Sequence, residues 1–156
     1  NVKQLAANLY RMQGVQYRSQ NKLTEARESL MRAVKLQPEN ASFLGNLIET
    51  EIAAKNIPEA QKLLDQFIKI PENEGERLFL QGLIRFAEDK KDEGIQLYMD
   101  SWTAKPLESV AEQIFAYHQK AGEKAKAEEF LKSWIETLIF RYQRFLFILK
   151  ISAVQS

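Results

Sequence analysis

Small residues return along this chain at a fixed step of 34. Gly14 and Gly82 stand two steps apart with Ile48 between them, and Ala26, Ala60 and Gly94 keep the same interval. Large apolar residues follow it at Leu30, Leu64 and Tyr98, and prolines close the units at Pro38, Pro71 and Pro106, the middle one a residue early. No other feature constrains the fold as much. A unit this short cannot bury an apolar face alone, so neighbouring units must stack to share one core. Each unit also holds two runs of helical spacing; the second of each pair reads Leu30, Ala33, Val34, then Leu63, Leu64, Phe67, Ile68, then Leu97, Tyr98, Ser101, Trp102. The spacing predicts helices near residues 2–19, 23–36, 41–54, 58–69, 74–88, 91–104, 107–120 and 123–152. Turns between paired helices are expected around Asn21, Asn56, Asp89 and Gly122, and Pro58 belongs in a first helical turn, where a missing N–H costs nothing.

The first unit, residues 7–40, carries Tyr10, Gly14, Tyr17, Ala26, Leu30, Ala33 and Pro38. A 34-residue helix pair with this pattern resembles the tetratricopeptide repeat. Units at 41–74 and 75–106 match less fully. Ile48 fills a place normally small, Glu51 and Arg85 replace an aromatic, and Phe67 replaces an alanine. A fourth unit at 107–137, one residue shorter, places Ile114, Gly122, Ala127, Leu131 and Trp134. The resemblance implies an all-α, right-handed helical-repeat solenoid of about four helix pairs. Residues 1–137 form the repeat domain and residues 138–156 an apolar C-terminal helix extension.

Chemistry is sparsely supplied. There is no cysteine, so no disulfide or thiolate, and the single histidine, His118, falls where the fourth unit expects an aromatic packing residue. No triad or zinc set can be assembled from one histidine without cysteine. Glu72, Glu74 and Glu76 flank one turn and Glu88, Asp89, Asp92 and Glu93 another, as solvated helix ends commonly do. Gly75, Gly82 and Gly94 belong to the repeat rather than to a phosphate loop. The expectation is no catalytic residue, no cofactor and no metal. With 22 basic against 21 acidic residues, no nucleic-acid partner is expected either.

Members of the resembled family bind extended peptides in an inner groove. By register the groove draws on Arg11, Val15 and Arg18 of the first unit, Asn46 and Glu49 of the second, and Phe79, Leu83 and Phe86 of the third. The last three share a face at i, i+4, i+7, and suit either a binding strip or packing on a neighbouring helix. Ser42, Gly45 and Ile52 join the same face in the second unit, and Glu112 and Gln119 in the fourth. The chaperone-adaptor members clamp a C-terminal carboxylate with five basic and amide residues. Those places fall here on Arg11, Val15, Asn46, Glu76 and Leu80, of which only Arg11 and Asn46 fit. An acid facing a carboxylate repels it, so that subclass is excluded.

The C-terminal segment departs from the repeat. Ten of the fourteen residues from Leu138 to Ile151 are apolar, interrupted by Arg141, Gln143, Arg144 and Lys150. A terminal repeat normally shows a polar outer face. This stretch is too short for a transmembrane span of about 20 residues. Self-association through residues 138–151, with Tyr142, Phe145 and Leu149 at the contact, covers the apolar surface most economically. An interfacial membrane helix is the lesser reading, and a tail foreign to the repeat domain is another. The Lys/Gln-rich repeats and the Lys132-Ser133-Trp134 ending faintly resemble bacterial members in exopolysaccharide and envelope systems. The expected function is a non-catalytic scaffold for a protein or peptide partner; the alternative is an accessory domain of a bacterial envelope or secretion assembly. The compartment is then bacterial cytoplasm or envelope. A first residue of Asn1 reads as a piece of something longer.

Overall fold

The computed structural model describes the backbone of residues 1–154 and the side chains of residues 1–148, and among them every regular element is helical. The helices are α1 (Val2–Ser19), α2 (Leu23–Leu36), α3 (Ala41–Ala53), α4 (Ile57–Phe67), α5 (Glu74–Ala87), α6 (Lys91–Ala104), α7 (Glu108–Lys120) and α8 (Lys124–Val154). All eight expected spans are present, with ends shifted by two residues at most. Leu149, one association candidate, and Ile151 lie outside the described side chains.

Each pair reverses by one device. Asn21, Lys55, Asp89 and Gly122 take the left-handed conformation, with φ of 58°, 59°, 61° and 72°. The residue after each donates its N–H five residues back, from Lys22 to Tyr17, Asn56 to Glu51, Lys90 to Arg85 and Glu123 to His118, at 2.8–2.9 Å. This is the Schellman closure, which satisfies carbonyls the helix end leaves open. The second turn falls around Asn56 as expected. The left-handed residue is Lys55, not Asn56, because the repeat register fixes its place against residue preference. Asn56 instead precedes α4, and Pro58 enters its first turn.

Residues 1–105 form one compact unit and the chain from Pro106 on a second. In the first unit, α1–α2 and α5–α6 approach closely because glycine allows it. A Cβ on Gly14 would lie 2.5 Å from Leu30 Cγ, and one on Gly82 would lie 2.6 Å from the Tyr98 ring. Ile48 in the equivalent place keeps the α3 and α4 backbones close at fewer points. The core is continuous from pair to pair. Leu30, Leu44, Leu47, Ile48, Leu64, Phe67, Leu80 and Ile84 form one buried cluster. Ile68, expected in the apolar stripe, is exposed because α4 ends at Phe67 and leaves it outside. In the second unit α7 packs on α8, with Val110, Ala111, Ile114, Ala127 and Phe130 buried.

Candidate functional site

Successive first helices of the first unit touch, α1 against α3 and α3 against α5. This adjacency brings together some of the residues that register assigns to the groove. The Arg18 guanidinium donates to the Asn46 carbonyl at 3.0 Å and to Asn46 Oδ1 at 3.4 Å, and meets Glu49 Oε2 at 2.8 Å. Asn46 in turn donates to the Ser42 carbonyl at 2.7 Å. Burial raises the Glu49 carboxyl above the ordinary carboxylate range, against the opposing pull of Arg18. Three predicted residues, Arg18, Asn46 and Glu49, thus form one polar brace between two repeats.

A cleft of about 320 Å³ opens between α3 and α5. Its apolar part is Ala41, Gly45, Phe67 and Leu80; its polar rim is Ser42, Asn46, Glu49, Asn73 and Glu76, with Phe79 alongside. A Cβ on Gly45 would stand 3.8 Å from the Phe67 ring, an ordinary contact. Glu76 Oε1 accepts from Lys105 at 2.9 Å.

The predicted aromatic strip divides. Phe79 lines the cleft, whereas Leu83 packs against the core cluster. Phe86 covers Gly94, with ring atoms 2.8 Å from where its Cβ would lie. Both rings flank Tyr98, at centroid separations of 5.1 Å and 5.0 Å. Burial, with Glu49 nearby, pushes the Tyr98 phenol far up. Arg11 and Val15 are half-buried on α1 and do not line this cleft. Sequence reasoning did not assign Phe67 and Asn73 to the site. The signal for Phe67 was present: a phenylalanine replaces an alanine opposite a glycine.

The polar residues in the aromatic place close turns. Buried Glu51 meets Arg27 Nε at 2.6 Å and accepts from Asn56 at 2.8 Å; Arg85 meets Glu88 at 2.8 Å and Glu93 at 3.0 Å. His118, buried, sits 2.7 Å from Glu123 through Nδ1. Hydrogen bonds from Lys126 and then His118 hold the Glu123 carboxyl below the ordinary range. Among the described residues no three His, Asp or Glu gather to hold an ion.

On α8, Tyr142 and Phe145 stand 63% and 57% exposed, and so do their neighbours from Leu138 to Ile148 in good part. Arg141 donates to the Pro106 carbonyl. Among the described residues no helix is long and apolar enough to cross a membrane.

Paired antiparallel helices sharing one core from pair to pair define a helical-repeat solenoid. A tetratricopeptide repeat family model matches residues 17–77. Over those residues the chain carries tetratricopeptide repeats, and its fold is that of tetratricopeptide solenoids. The NMR structure of the first such domain of human RPAP3 superposes with a TM-score of 0.59 at 18% identity, covering 83% of this chain and 94% of that one. The first such domain of Spaghetti (RPAP3) bound to HSP90 peptide SRMEEVD gives 0.58 at 18%, covering 76% and 95%. A crystal structure of MamA gives 0.58 at 18%, covering 88% and 81%. No curated protein matches the sequence.

Proposed function

We propose that this chain is a non-catalytic scaffold that holds an extended segment of another polypeptide against the first helices of its repeats. The observation carrying this reading is the α3–α5 cleft, where Asn46, Glu49 and Phe79 from two adjacent repeats converge beside an apolar floor. A few polar groups around an apolar depression are what positions a peptide side chain. A fold neighbour holds a chaperone peptide, but this cleft has Glu76 and Leu80 where the adaptor clamp needs donors, so the partner differs in kind. The chain has no cysteine, so Ser42→Cys gives one labelling site at the cleft rim. A photo-cross-linker there should capture a bound polypeptide far more efficiently than one at Gln61→Cys on α4. Equal capture from both positions overturns the reading.

A second reading concerns α8. Leu138, Ile139, Phe140, Tyr142, Phe145, Leu146, Phe147 and Ile148 are all exposed on one continuous helix. Leu138, Tyr142 and Phe145, at i, i+4 and i+7, share one face of that helix. Two copies of the chain associate through this helix, with Tyr142 and Phe145 at the contact.

A further inference from the structure

Two helix faces are left open, and the repeat register makes them complements. Inside the array α2 lies on α3 and α4 on α5. Phe43 of α3 packs with Ala33, Val34 and Leu36 of α2, while Leu44 and Leu47 share a buried cluster with Leu30. One repeat step before Phe43 and Leu47 stand Leu9 and Gln13 of α1. Leu9 is 56% exposed where Phe43 is 2% exposed. An open depression over Leu9, Tyr10, Met12 and Gln13 occupies the place at which α3 receives α2. On α8, Leu131, Trp134 and Ile135 stand in register with Leu30, Ala33 and Val34 of α2. Leu30 and Ala33 are fully buried, whereas Leu131 and Trp134 are half-buried and Ile135 is exposed.

Both faces run on as seams. Val2, Leu5, Leu9 and Met12 are exposed on α1 at the alternating three- and four-residue spacing of paired helices, and Ile135, Leu138, Tyr142 and Phe145 repeat it on α8. Each seam is about 15 Å long. At about 100° per residue, Asn8 and Gln13 edge the α1 seam, and Lys3 and Arg11 fall on the far side. A strip of about two residues in seven, edged by amides, fits one facing helix. A bilayer surface suits a broader apolar face flanked by cations.

We propose that α8 of one copy lies antiparallel on α1 of the next, continuing from molecule to molecule the stacking of α2 on α3. The α2–α3 contact sets the register: Ile135 over Leu9, Leu138 over Leu5 and Tyr142 beside Val2. The helix lengths agree with it. Ala41, where α3 starts, corresponds to Ala7, yet α1 starts at Val2; Leu36, where α2 ends, corresponds to Thr137, yet α8 runs on to Val154. In an antiparallel pair these two extensions meet. The contact joins two different surfaces, so it builds rings or open chains. It rests on the association reading above and names the surface that meets α8.

The chain has no cysteine, so Leu5→Cys and Leu138→Cys chains, one isotope-labelled, can be mixed and oxidised. The mixed disulfide, identified by intact mass, should exceed either self-disulfide at least fivefold. Leu5→Cys mixed with Phe140→Cys, on the opposite side of α8, should give no such excess. Leu9→Glu, at an exposed position, should sediment as a monomer with unchanged circular dichroism. A Leu138→Cys self-disulfide that matches the mixed one overturns the proposal and leaves association through α8 standing, as does a Leu9→Glu chain that associates like the unaltered one. An unaltered chain that stays monomeric at high micromolar concentration overturns both. Monomers that bind anionic vesicles, and lose that binding in Leu9→Glu, overturn both in favour of a membrane surface.

Discussion

Gly14, Gly45 and Gly82 lie on first helices, yet an added methyl meets different surroundings at each. At Gly14 and Gly82 it would overlap Leu30 and Tyr98, so alanine there should cost about 1–3 kcal/mol in urea unfolding. At Gly45 the nearest atom is 3.8 Å away, and alanine should be neutral or stabilise by up to about 1 kcal/mol through helix propensity. The two aromatics beside Tyr98 also separate. Phe86→Ala, which uncovers Gly94 and Tyr98, should lower stability by on the order of 2 kcal/mol. Phe79→Ala should weaken partner binding by more than about 1 kcal/mol with a smaller loss of fold. Glu123 supplies a pH signature. Its pKa is depressed below 4.5 by Lys126 and His118, so its contribution is present above 4.5 and lost as pH falls through the folded value. Glu123→Gln should therefore lower the thermal midpoint at pH 7, and that difference should shrink below pH 4.5.

At the level of the helix pair, the turns show what the sequence made legible and what it did not. Helix spans followed from the 34-residue step, the prolines and the apolar spacing, and these are local properties. The left-handed residue at 55 was hidden, because a lysine gives no local sign of positive φ and Asn56 beside it does. Only counting 34 from Asn21 would have found it. Lys55→Gly should relieve that strain and stabilise by about 0.5–1 kcal/mol, whereas Gly122→Ala should destabilise by about 1 kcal/mol although no atom stands near its Cβ. The candidate site was half legible for a related reason. Register placed Arg18, Asn46 and Glu49 on first helices, but which side chains meet depends on how one pair rotates against the next. The cleft's Phe67 comes from a second helix, outside the register that defines the groove.

For the whole molecule, the proposed association through the exposed residues of α8 is tested by sedimentation. The intact chain should sediment as a dimer or larger at micromolar concentration, and a chain ending at Thr137 as a monomer. Monomers in both cases would remove the association reading, while binding of the intact form alone to anionic vesicles would favour the interfacial one. A different consequence follows from the turns. The connections within pairs, 20–22, 54–56, 88–90 and 121–123, are all three residues long, whereas those between pairs, 37–40, 68–73 and 105–107, are four, six and three. Variation in length is confined to the joints between hairpins. One residue added inside a hairpin would rotate its second helix by about 100° and turn its apolar stripe to water. One added at a joint need only lengthen a loop. An inserted residue should therefore be tolerated at 37–40, 68–73 and 105–107 far better than inside a hairpin turn.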